Sequence, residues 1–186
     1  MCHTLLQDPR LYALLSLIDE ERAAESRVAG CRCGGVLHSA RYPRKPRGAP
    51  PGLPRLDPSR HSFCCATCRC RTTPESVRYL GRRVYLAAVV VLACAMRAGV
   101  TSRRAAQLTA VLNVPVRTLE RWRRWWLEAF VQTPFWRAAR AVFMPPIVEA
   151  LVPASLLSRF PGDESATPMV QCLCFLSPLS TLSKGG

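Results

Sequence analysis

A chain of 186 residues with 26 Lys and Arg against 12 Asp and Glu has the length of one ordinary domain or two small ones, which excludes a single large enzyme core. The net charge of +14 is confined to the middle: residues 1–26 sum to −3, 27–83 to +11, 84–140 to +7 and 141–186 to −1. An excess carried by Arg rather than Lys suits planar, bidentate contacts to phosphate and guanine, so an anionic polymer is the expected partner, the alternative being a solvated basic face.

The first residues, MCHTLLQDPRLYALL, put no basic segment before the apolar run, and Asp8, Asp19, Glu20 and Glu21 flank that run, so it reads neither as a signal peptide nor as a span. The second apolar run, from Val84 to Met96, has 13 residues, short of the roughly 20 that cross hydrocarbon. No membrane association is expected, and the location read from this is cytoplasmic. In a reducing compartment, clustered thiols persist as metal ligands more readily than as disulfides.

In chain order, Asp8 followed by Pro9 is a helix start: the carboxylate can cap free amides, and Pro at the first position has no amide to lose. Leu11, Leu14, Leu15 and Ile18 then form one apolar stripe, predicting an N-terminal amphipathic helix over residues 1–26. Residues 27–79 change character, with Cys, Gly, Pro and Arg and no helical period. Within them, residues 41–60 hold six Pro and two Gly in twenty positions, which predicts a basic loop without regular structure. Residues 80–146 return to a helical period. A helix from Arg82 to Gly99 is apolar nearly all round and reads as a buried central element. A second helix, capped by Thr101 or Ser102, runs to about Leu112, and a third from about Val116 to Phe130. Thr133 and Pro134 start a short helix that Met144-Pro145-Pro146 stops. Residues 147–186 supply short apolar pieces, and the last ten, SPLSTLSKGG, are expected to fray.

Ten cysteines give the first chemical signal. A tetrahedral zinc ion takes four ligands, usually from two loops that each present a pair of thiolates. CRCGG offers Cys31 and Cys33, with Gly34 and Gly35 free to curl behind a metal. FCCATCRCR offers Cys65 and Cys68 at CxxC spacing. The expected zinc ligands are therefore Cys31, Cys33, Cys65 and Cys68, with Cys64, Cys70 or His38 as possible replacements. Cys94, among Val, Leu and Ala, reads as core; Cys2, Cys172 and Cys174 lack partners at ligand spacing; His3 and His61 read as ordinary surface.

SRRAAQLTAVLNVPVRTLERWRRWW, residues 102–126, gives the second signal. With Asn113 in the left-handed turn position, Leu108, Leu112, Leu119 and Trp122 face inward, and Thr109 lets the two helices approach. Leu119, Trp122, Trp126 and Phe130 then share one side of the third helix, and Arg117, Arg121, Arg124 and Glu128 the other. In a helix-turn-helix this second helix enters the major groove. Arg117 and Arg121 are then the candidates to read bases, with Thr118 and Glu120 beside them, while Arg103, Arg104, Arg123 and Arg124 hold phosphates. The competing reading is a plain helical hairpin with a solvated Arg face.

CRCGGVLHSARYPRKPRG, the cysteine cluster leading into RTTPESVRYLGRRVYL, and RTLERWRRWW followed by PFWRAARAVFMPP together resemble the zinc-ribbon plus helix-turn-helix proteins associated with bacterial insertion sequences and transposases. The resemblance spans roughly residues 28–146. It implies a mostly α fold with a small zinc-ribbon-like β module and a three-helix helix-turn-helix domain, zinc as cofactor, and double-stranded DNA as partner, with a separate catalytic subunit or a homodimer. It does not imply catalysis. Transposase chemistry of that kind needs three spaced carboxylates, and the basic middle holds only Asp57, Glu75, Glu120 and Glu128. The expectation is a DNA-binding protein that is not an enzyme; the alternative is a transcription or replication accessory factor that grips a protein and touches nucleic acid nonspecifically.

Overall fold

The computed structural model describes residues 2–44, 47–48, 59–80, 85–96, 114–162 and 166–181. The chain is mostly helical with a small antiparallel sheet. Helix α1, Cys2–Gln7, leads into α2, Pro9–Ala29. Asp8 caps α2 as expected, its side chain accepting from the Arg10 amide at 2.9 Å. The helix runs past Ser26 and stops where Gly30 adopts φ 72°, a left-handed value that glycine takes without penalty.

The buried side of α2 differs from the predicted stripe. Leu11, Tyr12, Leu15, Asp19 and Ala23 point inward, Ile18 is half-buried, and Leu14 lies outside at 42% exposure. Asp19 sets this rotation. Its carboxylate is buried and accepts from Ser76 Oγ at 2.6 Å, the Val77 amide at 2.8 Å and Arg78 Nε at 2.8 Å. The Arg78 guanidinium also donates to the Ser59 carbonyl at 2.9 Å. Arg60 is buried beside this group and donates to the Pro74 carbonyl and to Ser180 Oγ. A carboxylate this deep is tolerable only because charge and hydrogen bonds both meet it.

Five short strands follow: β1, Leu37–Ser39; β2, Tyr42–Pro43; β3, Ser59–Arg60; β4, Phe63–Cys65; and β5, Arg71–Thr72. One sheet has the order β1-β4-β5, all antiparallel, with Leu37 opposite Cys65 and Phe63 opposite Thr72. The segment expected to be irregular is paired at its ends: Tyr42 lies opposite Arg60 and Pro43 opposite Ser59. The pairing of β1 with β4, extended by the Ala40 amide to the Ser62 carbonyl at 2.8 Å, brings those ends together, so their polar backbone groups continue the ladder. Ala23 of α2 packs with Leu37, Phe63 and Cys65 in a small core of their own.

Helix α3, Ala87–Met96, begins later than predicted because Tyr85 and Leu86 form bridges with Arg47 and Tyr79. From Ala87 to Ala93 no residue is more than 2% exposed, as an apolar helix without a polar side requires. Around it pack α1, α4 (Val116–Arg124), α6 (Ala154–Leu157) and α7 (Thr167–Leu176). Helix α5, Pro134–Ala139, is capped by Thr133 Oγ1, which accepts from the Trp136 amide at 3.1 Å. The main core extends from Leu5 to Leu179, so both ends of the described chain share it.

The residues after α4 are not a plain continuation of an α-helix. Trp125–Ala129 makes a π-turn, with the Phe130 amide bonded to the Trp125 carbonyl, and Phe130–Gln132 closes as a 3-10 turn. The wider turn holds Trp126 and Phe130 on the buried line begun by Leu119 and Trp122, with all four no more than 1% exposed. Trp126 and Phe130 meet edge to face at 4.7 Å, and Phe130 meets Trp136 at 4.9 Å. Of the last ten residues, expected to fray, 177–181 are described, and these are packed. Leu179 is buried, Ser177 Oγ donates to Glu75 at 2.8 Å, and Ser180 Oγ accepts from the Ser76 amide at 2.8 Å. Over residues 177–181 an apolar anchor flanked by two hydroxyls that complete a buried polar network holds the segment in place.

Candidate metal centre and basic helix face

Cys31 follows directly on the Gly30 terminus of α2, and a tight turn, Gly34 amide to Cys31 carbonyl at 2.8 Å, folds Cys33 back beside it. The second pair comes from the end of β4. The Arg69 amide returns to the Cys65 carbonyl at 3.1 Å, and the Cys65 amide donates to the Cys70 carbonyl at 3.0 Å, so the chain from Cys65 to Cys70 closes into a knuckle. Arg69 takes φ 60° to complete it, a left-handed value that costs a side-chain-bearing residue about 1–2 kcal/mol. The two turns face each other across the β1-β4 pair.

The sulfurs of Cys31, Cys33, Cys65 and Cys68 all lie within 4.8 Å of one another. Cys31 to Cys68, Cys31 to Cys33 and Cys33 to Cys65 are each 3.5 Å apart. These are not disulfides, which need about 2.05 Å. Metal–sulfur bonds of about 2.3 Å in a tetrahedron give sulfur–sulfur edges of about 3.8 Å, so the four are close enough to hold one metal ion. Gly35 makes room for them. A Cβ there would lie 2.6 Å from Cys65 Sγ and 2.6 Å from Thr67 Oγ1, inside any real contact distance.

The electrostatics fit a cation. The amides of Cys68 and Thr67 point at the Cys65 sulfur and, with Cys68 the larger influence, bring its thiol down to about 6. At Cys68 the Cys70 amide pulls the same way, but the crowding of the sulfurs of Cys33, Cys31 and Cys65 outweighs it and pushes that thiol up. At Cys31 the Cys33 amide and the Cys68 sulfur pull down, but the Cys33 sulfur, burial and the Cys65 sulfur outweigh them and push that thiol up. Four thiolates at this spacing repel unless a positive ion sits among them.

Strand alternation sorts the surplus cysteines. Along β4, Phe63 and Cys65 turn to the small core while Cys64 turns away, its sulfur donating to the Arg69 carbonyl at 3.6 Å. His38 lies opposite Cys64 and is exposed, and Cys70 is exposed. None of these three belongs to the four-sulfur group. Cys94 and Cys172 are buried, the latter's thiol pushed up to about 12 by burial. His61, expected at the surface, is 4% exposed, because the ladder continuing from β3 to β4 turns it inside.

On α4 the two-sided pattern is present. Arg117, Glu120, Arg121, Arg123 and Arg124 are exposed, Thr118 is half-buried, and Leu119 and Trp122 are buried. From Arg117 to Arg124 the basic side extends about 10 Å along the axis. No side chain caps the helix start, where the Pro115 carbonyl accepts from the Thr118 amide at 2.8 Å. Arg103 and Arg104 lie outside the described residues, as do Leu108, Thr109, Leu112 and Asn113 of the expected preceding helix and turn.

Sequence reasoning missed Asp19, Arg60 and Arg78, which fasten α2 and the tail to the segment leading out of the cysteine module. Nothing in their spacing marks Arg60 or Arg78 off from the surrounding arginines. Comparison of the chain with protein-family models, with characterised proteins and with solved structures finds no match.

Proposed function

We propose that this protein is a zinc-stabilised DNA-binding protein of the kind carried by mobile elements, recognising duplex DNA through α4 as the second helix of a helix-turn-helix and acting with a separate catalytic subunit. The observation that carries the reading is the exposed arginine face of α4 set against a fully buried aromatic line. A helix held that rigidly on one side can present the other to a groove without losing much side-chain order. Arg117 and Arg121 are assigned to guanine edges, Glu120 to an amino group of cytosine, and Arg123, Arg124, Arg103 and Arg104 to phosphates, with Thr118 at the protein–DNA boundary.

In this reading zinc is the metal, held by Cys31, Cys33, Cys65 and Cys68. When bound it supplies folding free energy and no chemistry. The cysteine module needs that contribution, since its own core is small: Ala23, Leu37, Phe63 and Cys65. The protein is expected to purify with one zinc per chain, and chelation should unfold the module.

The test of recognition is Arg117→Ala. After selection of a preferred duplex, the substitution should weaken binding to it by about 1–3 kcal/mol while affinity for random duplex changes little. Equal losses on both duplexes would overturn sequence-specific reading by α4 and favour an accessory factor that contacts nucleic acid nonspecifically.

A further inference from the structure

Helix α2 turns Leu11, Tyr12, Leu15, Asp19 and Ala23 inward, yet its outer side also carries large apolar groups: Leu14 is 42% and Leu17 55% exposed. They do not stand alone. Arg10, Leu14, Leu17, Glu21 and Ala24 follow one another at steps of four, three, four and three, the spacing of a coiled-coil seam, and every one of them is exposed. Ala13, also exposed, flanks the seam with a side chain small enough for close approach. A helix buried on one side and seamed on the other is built to touch two things.

We propose that this outer face of α2 pairs with the same face of a second copy of the chain, antiparallel, about a two-fold axis passing between Leu14 and Leu17. The charges choose the direction. In an antiparallel pair the Leu14 layer of one copy meets Leu17 of the other, and the same register sets Arg10 against Glu21 at both ends. Two leucine layers are thus closed by two symmetric ion pairs. In a parallel pair Arg10 would face Arg10 and Glu21 would face Glu21, which repels at both ends. The contact is isologous, with one patch serving both copies, as two-fold dimers require. The paired seam from Arg10 to Glu21 extends about 16 Å, short for a permanent interface, so the dimer is a weak, concentration-dependent one. This pairing stands independently of the reading of α4.

Sedimentation equilibrium of the metal-loaded protein, across concentrations from micromolar to millimolar, tests it by charge exchange. Arg10→Glu and Glu21→Arg each put like charges opposite one another twice per dimer, so each alone should weaken association by about tenfold or more. Combined in one chain they restore opposite charges and should return association to near the native value. Leu14→Ser with Leu17→Ser should leave a monomer. All four positions are exposed, and helical circular dichroism confirms that each variant is folded. A native protein that stays monomeric throughout overturns the proposal. So do single reversals without effect, or a double reversal no better than either single one.

Discussion

Asp19→Ala removes the carboxylate on which α2 is fastened to residues 76–78. Three donors lose their acceptor at once: Ser76 Oγ at 2.6 Å, the Val77 amide at 2.8 Å and Arg78 Nε at 2.8 Å. The Arg78 side chain is 6% exposed, so its guanidinium stays inside without the Asp19 carboxylate. Removing one partner of a buried pair costs about 3–5 kcal/mol, because the charge left behind is uncompensated. Arg78 keeps the Ser59 carbonyl at 2.9 Å and the face of Tyr79 at 5.5 Å, which places the expected loss at the lower end, about 3 kcal/mol. Against a typical total of about 5–15 kcal/mol this is a large fraction. Equilibrium urea unfolding of metal-loaded protein, followed by fluorescence of the buried tryptophans Trp122, Trp126 and Trp136, measures it. Asp19→Leu combined with Arg78→Met should cost less than the two single losses added together, since the Arg78 charge is then not stranded. A loss below about 1 kcal/mol for Asp19→Ala, or a double variant as unstable as the singles added together, would refute the account of this pair.

Two further substitutions probe the module. Gly35→Ala drives a methyl into the Cys65 sulfur and Thr67, so metal affinity in chelator competition should fall by at least an order of magnitude, whereas Gly34→Ala, with nothing within 4 Å but φ at +78°, should cost about 1–2 kcal/mol of stability and keep metal stoichiometry. Unchanged affinity in Gly35→Ala would remove the steric argument. His61 gives the pH dependence. Burial first, then Arg41 and Arg78, hold its pKa below the ordinary 6.5, so the unfolded chain takes up a proton that the folded chain refuses. Its contribution is therefore complete above pH 6.5, declines as pH falls below that value, and levels off beneath the folded pKa. The unfolding free energy of native protein minus that of His61→Asn should shrink over that window; a constant difference would refute it.

Much of this was legible in the sequence, and the division has a physical cause. The Asp8-Pro9 and Thr133-Pro134 starts, the wholly apolar α3 and the aromatic line of α4 depend on local chemistry and helical period, so reading along the chain finds them. The two cysteine pairs were legible for the same reason, since each is a short motif. CxxC spacing also picked Cys65 over Cys64, whereas the reason Cys64 stays out lies in strand register, and Leu37 opposite Cys65 is a pairing across 28 positions. Asp19 was read as one more acidic residue on a surface helix. Only the arrival of Ser76, Val77 and Arg78 from the far side of the module turns it inward and carries Leu14 out.

The same long-range contacts change what the net charge means. Residues 27–83 supply +11 of it, and counted along the chain all of it looks available to an anionic partner. In the fold, Arg60 and Arg78 are buried, 1% and 5% exposed, and they hold backbone carbonyls, Asp19 and the Ser180 hydroxyl in place. Arg44 lies over the rings of Tyr42 and Tyr79. Guanidinium suits this work because its planar fork can serve several acceptors at once and loses less than ammonium on leaving water. Part of the arginine excess in the module is therefore structural, tying strands too short to stand alone to the helical core. The arginines of α4 differ in kind: they are exposed on a helix whose opposite side is fully buried. Charge removed at Arg60 or Arg78 acts on whether the protein folds, and charge removed at Arg117 or Arg121 acts on what the folded protein presents to an anion. Net charge sums the two kinds without distinguishing them; only burial separates them.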